Sequence, residues 1–212
     1  MLSLTIDKHD LWCHRLLCLM AGEDLPIAED VDDHVRLLQL DKGQVLFEMG
    51  QPHPYLHVIR RGCVKTVYRR ANGDEWIQDF LAEGAFFGSV TAMAPGGVCS
   101  YACEALEPCE IERIGYAWIE ANARQHPAWQ AALLCGWKDY ASRKEWREHD
   151  LLTLSPPQRY AAFVARHAGL AQRLPQKELA RHLGITPVSL SRIRSRLQSQ
   201  ALGQAPAPST PL

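Results

Sequence analysis

The pattern that most restricts the fold lies near the C-terminus, where two short amphipathic helices are predicted on either side of a glycine. The positions that would face inward are apolar or small: Leu179, Ala180, Leu183, Ile185, Leu190, Ile193 and Leu197. Gly184 can adopt the left-handed conformation that ends the first helix. Thr186 suits the cap of the second helix and Pro187 its first position, where a missing N–H is tolerated. This spacing predicts a helix-turn-helix motif over residues 176–197.

The opposite face of the second helix is predicted to be basic and built from small side chains. At 3.6 residues per turn it presents Val188, Ser191, Arg192 and Ser195, flanked by Ser189 and Arg196. Such a face can enter the major groove of duplex DNA, where Arg192 can donate two hydrogen bonds to guanine O6 and N7. Lys177 and the Thr186 hydroxyl, near the helix N-termini, suit contacts to phosphates. The alternative is a solvated basic face on a protein-packing module.

Charge is divided unevenly along the chain. The formal net charge of −1 would by itself argue against strong nucleic-acid binding, because phosphate neutralisation requires Lys and Arg. However, residues 1–150 carry 15 Lys and Arg against 23 Asp and Glu, whereas residues 151–212 carry eight against one. The C-terminal third therefore has a balance of +7, which favours a nucleic-acid-binding module there.

Residues 40–115 show the pattern of a β domain. Short runs of β-forming residues alternate with glycine-containing turns at 44–47, 55–59, 63–69, 76–80, 101–105 and 110–114. Strands at this spacing indicate a barrel or a sandwich. Asn72-Gly73 lies between two of these runs, and both residues tolerate the positive φ of a tight turn. The flanking runs are therefore predicted to form a hairpin.

A long helix is predicted over residues 128–150, because neither a proline nor an alternating pattern interrupts this stretch. Its apolar stripe is rich in aromatic residues and includes a glycine that would allow another backbone to approach: Trp129, Leu133, Gly136, Trp137 and Tyr140. This stripe can pack on the β domain of its own chain, or it can pair with its copy in a homodimer. The homodimer is the preferred interpretation.

The remaining segments complete the predicted domain organisation. Residues 1–39 are interpreted as an N-terminal helical segment, residues 40–127 as the β domain and residues 151–200 as the helix-turn-helix domain. That last domain begins with a helix that Ser155 caps. The proline-rich residues 201–212 are predicted to be disordered.

Composition and cysteine usage exclude several classes of protein. With 47% hydrophobic and 22% charged residues, the 212-residue chain is typical of globular domains rather than of disordered or collagen-like proteins. No apolar run is long enough for a membrane span or a signal peptide, so we expect a cytoplasmic protein without a membrane partner. The seven cysteines are scattered and odd in number, which favours reduced thiols over a disulfide framework.

The chain begins with a β domain that has glycines at its turns, continues with a long helix and ends in a helix-turn-helix. In this domain order it resembles the Crp/Fnr superfamily of bacterial transcription regulators. The resemblance rests on residues 55–62 and 183–194 and on glycines at the family's turn positions: Gly43, Gly50, Gly62, Gly73, Gly84 and Gly88. It implies an α+β fold with a jelly-roll-like N-terminal β roll similar to cyclic-nucleotide-binding domains, a long dimerisation helix and a C-terminal helical domain. The usual β-hairpin wing is predicted to be lacking, since residues 198–212 have no alternating pattern.

The resemblance also implies a candidate effector pocket at Gly88, Ser89, Cys99 and Ser100. Members that bind cyclic AMP carry a glutamate where this chain has Ser89 and an arginine where it has Cys99. Without that cation, the charge of a buried cyclic phosphate would remain uncompensated. We therefore expect no binding of cyclic AMP or cyclic GMP, and the sequence identifies no cofactor.

The cysteines allow two further interpretations. Iron–sulfur members of the family need four cysteine ligands, typically three of them near the N-terminus. The N-terminal region here offers two, Cys13 and Cys18, which are too few for the usual cluster, although a distant cysteine could join them in space. Cys99 and Cys103 have the same strand parity and are interpreted as thiols in the core of the roll. The alternative for that pair is a redox or metal switch, which would require an exposed thiol with a lowered pKa.

The sequence therefore predicts a homodimeric, sequence-specific DNA-binding transcription regulator without catalytic residues, acting on an inverted-repeat operator. RNA polymerase is a further candidate partner. The operator of the best-known members cannot be carried over, because Pro187 and Val188 stand where those members read bases with Arg and Glu.

Two other functions are kept as alternatives. One is a small-molecule- or metal-binding jelly-roll protein with an accessory helical interaction domain. His53 and His57 would be its candidate ligands, but they are interpreted as surface or turn histidines and no metal site is predicted. The other is a protein-interaction module that has lost DNA binding.

Overall fold

The computed structural model of the chain describes residues 3–4, 10–26, 30–167 and 169–203. The chain divides into two compact units, Met1–Glu148 and His149–Leu212, called unit 1 and unit 2. None of the helices described is long and apolar enough to cross a membrane.

Unit 1 is a β roll with flanking helices. Its strands are β1 (Ser3–Leu4), β2 (Val35–Leu40), β3 (Val45–Phe47), β4 (Tyr55–Arg61), β5 (Val64–Arg69), β6 (Glu75–Leu81), β7 (Phe86–Phe87), β8 (Ala102–Ala105) and β9 (Cys109–Gly115). Its helices are α1 (Trp12–Ala21), α2 (Val31–His34), α3 (Val90–Met93), α4 (Tyr116–Gln125) and most of α5 (Pro127–Thr153). The six predicted strands are confirmed, each within two residues of its observed ends.

The strands form two antiparallel sheets, with the order β1-β2-β9-β4-β7 in one and β3-β8-β5-β6 in the other. The prediction that residues 1–39 are helical is wrong for β2, which pairs with β9 along its whole length. Leu37 and Leu38, on opposite faces of this strand, are both buried. A short run that is apolar on both faces cannot be told from a helix by its periodicity alone.

The two faces of the five-stranded sheet are covered differently. One face forms the interior of the roll, where Phe47, Ile59 and Ile111 are buried. The other face packs against helices, and Ile114 and Trp129 belong to the cluster that fills this layer. Because both faces of the sheet are covered, four successive residues of β4, 56–59, are buried.

A buried carboxylate attaches helix α1 to the sheet. Glu112 on β9 has no exposed surface. Its two oxygens accept hydrogen bonds from the backbone N–H groups of Trp12 (2.9 Å) and Cys13 (2.7 Å). Arg60 lies 3.4 Å from the same carboxylate and 2.7 Å from Asp10. The first turn of α1, whose N–H groups have no partner inside the helix, is thereby satisfied by a side chain 100 residues away.

The predicted hairpin between β5 and β6 is confirmed, although its turn differs from the expected one. The loop spans five residues, and the N–H groups of Arg70 and Gly73 donate to the carbonyls of Asp74 and Arg70, both at 3.0 Å. Gly73 has φ +86°, whereas Asn72 does not have positive φ. Asn72 acts through its side chain instead, since its Oδ1 accepts a hydrogen bond from the Asp74 N–H.

Helix α5 presents much of its aromatic stripe to its own unit. Trp129 is 2% exposed and meets Trp118 edge to face at 5.4 Å. A Cβ atom on Gly136 would lie 3.2 Å from the Phe86 ring, so the close approach that this glycine permits is made to the roll. The interpretation in which this stripe pairs with a second copy is therefore wrong for Trp129 and Gly136, because both are buried within their own unit.

The other three residues of the stripe, Leu133, Trp137 and Tyr140, are half-buried. The opposite side of the helix is called the outward face of α5 and comprises Ala131, Leu134, Cys135, Lys138, Ala141 and Ser142. All six are exposed. Pairing of α5 with a second copy stays a prediction, and it would have to use this face.

Unit 2 is helical throughout its described part, with the end of α5 followed by α6 (Pro156–Arg166), α7 (Leu170–Arg173), α8 (Gln176–Leu183) and α9 (Pro187–Gly203). Ser155 and Gln158 form a capping box at the start of α6, as the Ser-Pro-Pro sequence suggested. Helix α9 continues to Gly203, so the predicted disordered tail is wrong for residues 201–203. Residues 204–212, the rest of that prediction, lie outside the described residues.

Candidate nucleic-acid interface

The two helices of the predicted helix-turn-helix, α8 and α9, are joined by a tight turn. Gly184 has φ +67°, and the N–H of Ile185 donates to the carbonyl of Ala180 at 3.0 Å, which closes the end of α8. Arg159 Nη1 donates to the Leu183 carbonyl at 2.8 Å. The same guanidinium lies 3.2 Å from where a Cβ atom on Gly184 would be, so a side chain there would meet both steric and conformational resistance.

The first turn of α9 is held in place by its own cap. Thr186 Oγ1 accepts a hydrogen bond from the N–H of Ser189 at 3.1 Å, which is the capping role that the sequence predicted. Gln176 Nε2, from the start of α8, donates to the Pro187 carbonyl at 2.9 Å. Leu190 has no exposed surface and joins the buried face of α8. Both ends of the turn are thus fixed by hydrogen bonds as well as by packing.

The predicted contact residues share one side of the motif, which is called the outward face of α9. The exposed members are Val188, Ser191, Arg192, Ser195 and Arg196, and Ser189 is half-buried. Thr186 and Lys177, proposed for phosphate contacts, are also exposed. The structure therefore brings together the residues that periodicity selected, and their role in binding stays a prediction.

Two arginines of unit 2 have structural roles that the sequence analysis did not identify. Arg194 donates from Nη2 to the Ala171 carbonyl at 3.2 Å, and its guanidinium lies 5.6 Å from the centre of the Tyr160 ring. Arg159 seals the end of α8. Helical periodicity could have predicted the inward position of Arg194. It is two residues after Arg192, and a rotation of about 200° places it on the opposite side of the helix.

In unit 1, the polar groups of the candidate effector pocket are hydrogen-bonded to one another or to neighbouring residues. The buried Ser89 hydroxyl accepts a hydrogen bond from the N–H of Ser100 at 3.2 Å. Tyr101 donates its hydroxyl to the Gly88 carbonyl at 2.7 Å. A Cβ atom on Gly88 would lie 2.5 Å from Met93, so the backbone is tightly enclosed there. Cys99, at the position of the family's arginine, is buried and brings no cation.

A second polar region of unit 1 lies between the roll and α5 and has no counterpart in the sequence analysis. It encloses a void of about 10 Å³ lined by Thr66, Gln78, Asp79, Leu81, Phe87, Tyr140, Arg143 and Lys144. Lys144 Nζ lies 5.1 Å from the centre of the Tyr140 ring and 5.8 Å from that of Tyr101. Burial is the main cause that lowers the pKa of Lys144 to about 8, and Arg143 acts in the same direction.

The comparisons with known proteins agree with this architecture. A family model described as "Cyclic nucleotide-binding domain" matches residues 37–124. The "Transcriptional regulatory protein btr" of Bordetella pertussis is 25% identical in an alignment over 202 residues that covers 88% of this chain and 81% of that protein. The "cAMP-activated global transcriptional regulator CRP" of Pasteurella multocida is 28% identical over 91 residues, 43% of this chain and 44% of that protein.

Solved structures show the same fold. FixK2 from Bradyrhizobium japonicum has a TM-score of 0.70 at 19% identity, covering 79% of this chain and 86% of that chain. A CooA mutant from Carboxydothermus hydrogenoformans has a TM-score of 0.68 at 15% identity, covering 87% and 84%. The chain is thus similar in sequence to transcription regulators and in fold to these solved structures, in agreement with the resemblance to the Crp/Fnr superfamily.

The buried thiols of the β roll lack the environment of a reactive cysteine. Cys99 and Cys103 lie in the core of the roll, as predicted. Burial raises the pKa of both, that of Cys103 well above its usual value. A redox-active thiol is expected to have a lowered pKa, so the burial of these two thiols and their raised pKa favour core thiols over a redox switch. At the N-terminus, Cys13 is buried and Cys18 half-buried, and all seven cysteines are free.

The interpretation of the two histidines as surface or turn residues is wrong for His57, which lies on β4 without exposed surface. Its Nε2 is 3.1 Å from that of His53, and the two rings stack at 5.2 Å. Burial lowers the pKa of both; that of His53 falls to about 4, to which Arg113 also contributes. Among the described residues, no group of three or more His, Cys, Asp or Glu is arranged to hold a metal ion.

Proposed function

We propose that this protein is a sequence-specific DNA-binding transcription regulator of the Crp/Fnr type whose α9 enters the major groove of duplex DNA. The observation that carries the proposal is the composition of the outward face of α9. Arg192 is exposed there beside Ser191 and Ser195, which are small enough to let the helix approach the bases. The excess of seven positive charges in residues 151–212 supports attraction to phosphates.

Each kind of contact has candidate residues on this surface. Arg192 would donate two hydrogen bonds to a guanine, which specifies sequence. Lys177 and the Thr186 hydroxyl would contact phosphates, which positions the motif without specifying sequence. Ser189, Ser191, Ser195 and Arg196 would border the same groove.

We further propose that the regulator acts as a homodimer on an inverted repeat. A two-fold axis would place two recognition helices in successive major grooves, about 34–36 Å apart. The outward face of α5 supports pairing between copies, because Leu134 is 52% exposed there and the neighbouring Ala131 and Ala141 permit close approach. The half-buried Leu133, Trp137 and Tyr140 would border this contact.

The β roll would act as the sensor, although not for cyclic AMP. The Gly88–Ser89 segment is closed by its own hydrogen bonds, and Cys99 supplies no charge to neutralise a cyclic phosphate. An effector that favours the DNA-competent arrangement of the dimer would itself bind more tightly when the operator is present.

The test is selection of bound sequences from random duplex DNA by the purified full-length protein. A palindromic consensus is the expected result. The variant Arg192→Ala should then bind the selected operator at least tenfold more weakly, which corresponds to about 1–3 kcal/mol.

The matched control is Arg124→Ala, which removes the same charge from an exposed arginine of α4 that pairs with Glu120. This control should retain wild-type affinity. Recovery of no preferred duplex over competitor DNA, or equal binding by Arg192→Ala and the control, would contradict the proposal.

A further inference from the structure

An exposed apolar side chain stands at the beginning of the proposed recognition helix. Val188 follows Pro187 in the first turn of α9 and is 61% exposed. The side chain packs little against its own unit, and β-branched residues are not favoured in helices over Ala, Lys or Gln. Neither packing nor helix formation therefore accounts for a valine at this position.

The backbone that carries Val188 is held rigidly. Pro187, the residue before it, accepts a hydrogen bond from Gln176 through its carbonyl, and Ser189, the residue after it, donates its N–H to Thr186. A side chain presented by a pre-ordered segment loses little conformational freedom when it binds a partner. Val188 therefore suits a defined contact rather than an adaptable one.

Among the residues of the outward face of α9, Val188 is the apolar member. The others are serines and arginines, and Arg192 lies one helical turn further along the same side. In the major groove, the base pairs present hydrogen-bonding groups and one kind of apolar group, the C5-methyl of thymine. The complement of an exposed valine on a face that enters this groove is that methyl group.

We propose that Val188 is a specificity-determining residue that contacts the C5-methyl of a thymine in each operator half-site. This inference rests on the proposed function. Arg192 is four positions after Val188, and this spacing corresponds to about 6 Å along the helix axis. With about 3.4 Å between successive base pairs, the thymine should lie within about three base pairs of the guanine that Arg192 reads.

The experiment replaces single thymines of the selected operator with deoxyuracil, which removes the methyl group and leaves base pairing unchanged. Binding of the full-length protein to each duplex is measured by titration. One thymine position in each half-site should lose about fourfold in affinity per half-site when its methyl is removed, as expected for one buried methyl-sized group. Val188→Ala should bind the thymine and deoxyuracil forms of that position equally.

The matched control is Val164→Ala, since Val164 is an exposed valine on α6, outside the outward face of α9. This control should keep the fourfold preference for thymine. The inference is overturned if no thymine position discriminates in the wild-type protein, or if Val188→Ala keeps the preference. Selection of no duplex at all would instead contradict the proposed function, and this inference with it, so the two failures are distinguishable.

Discussion

The polar side chains of interest differ in solvent exposure between the two units of this protein. In unit 1, Glu112 and His57 have no exposed surface. Glu112 accepts a hydrogen bond from the Cys13 N–H at the start of α1, and His57 contacts the ring of His53. In unit 2, Arg192, Ser191 and Ser195 are exposed on one helical face. Buried polar groups in unit 1 hold elements together, whereas the exposed ones in unit 2 are available to a partner. Variants at matched positions can test this difference.

The largest expected effect is at Glu112, where truncation leaves two N–H groups of α1 and the Arg60 guanidinium without their carboxylate. Glu112→Ala should lower the free energy of unfolding by about 3–5 kcal/mol. All six tryptophans lie in unit 1, so tryptophan fluorescence during urea unfolding reports on this unit.

The control for that variant is Glu110→Ala on the same strand, where the carboxylate is half-exposed and lies 3.8 Å from Arg61. Its effect should stay below about 1 kcal/mol, as for surface ion pairs. Equal effects of the two substitutions would show that the buried carboxylate has no special structural role.

A smaller effect is expected at the turn between α8 and α9. Gly184→Ala forces an alanine into the left-handed region, which costs about 1–2 kcal/mol. Asn tolerates this conformation better, so Gly184→Asn should recover part of the loss. Hydrogen exchange of the α8 amides measures the effect within unit 2. Slower exchange in Gly184→Ala than in the wild type would contradict the assigned turn.

The smallest effect concerns pH and unit 1. Unfolded histidines take up a proton near pH 6.5, whereas His53 in the folded protein does so only near pH 4. The unfolded state therefore binds more protons between these values, and stability should fall as the pH is lowered through this window. His53→Gln should weaken this pH dependence in urea unfolding followed by tryptophan fluorescence.

The matched control substitution is His126→Gln, at an exposed histidine of the same unit. If His53→Gln and the wild type lose stability in parallel between about pH 6.5 and pH 4, His53 is not the cause.

The contrast between Arg192 and Arg194 shows what helical periodicity can predict from the sequence. Both belong to the same basic helix, and a count of charges treats them alike. Rotation about the helix places Arg192 outward and Arg194 inward, and the structure shows Arg194 bonded to the Ala171 carbonyl. Thus the outward face of α9 could be predicted residue by residue, because a helix repeats regularly and its neighbours in space are neighbours in sequence.

In unit 1, sequence periodicity predicted six of the strands but not the contacts that their buried polar side chains make. The hairpin of β5 and β6 was predictable because its contacts are local, and β2 was not, since its burial on both faces removes the alternating signal. The helix α5 was predicted correctly as a helix, but its aromatic stripe could pack in two ways, and the structure shows only that Trp129 is buried in its own unit.

Local pattern in the amino-acid sequence was enough to predict the two helices of the helix-turn-helix, the long helix and six strands of the roll, because backbone geometry ties these features to short repeats. Only the tertiary structure decided that Glu112 joins α1 to β9, that His57 stacks on His53, and that Lys144 lies over two tyrosines. Such contacts depend on which distant segments meet, and no repeat along the chain encodes that meeting. Packing of the sheets and of α5 therefore settles them.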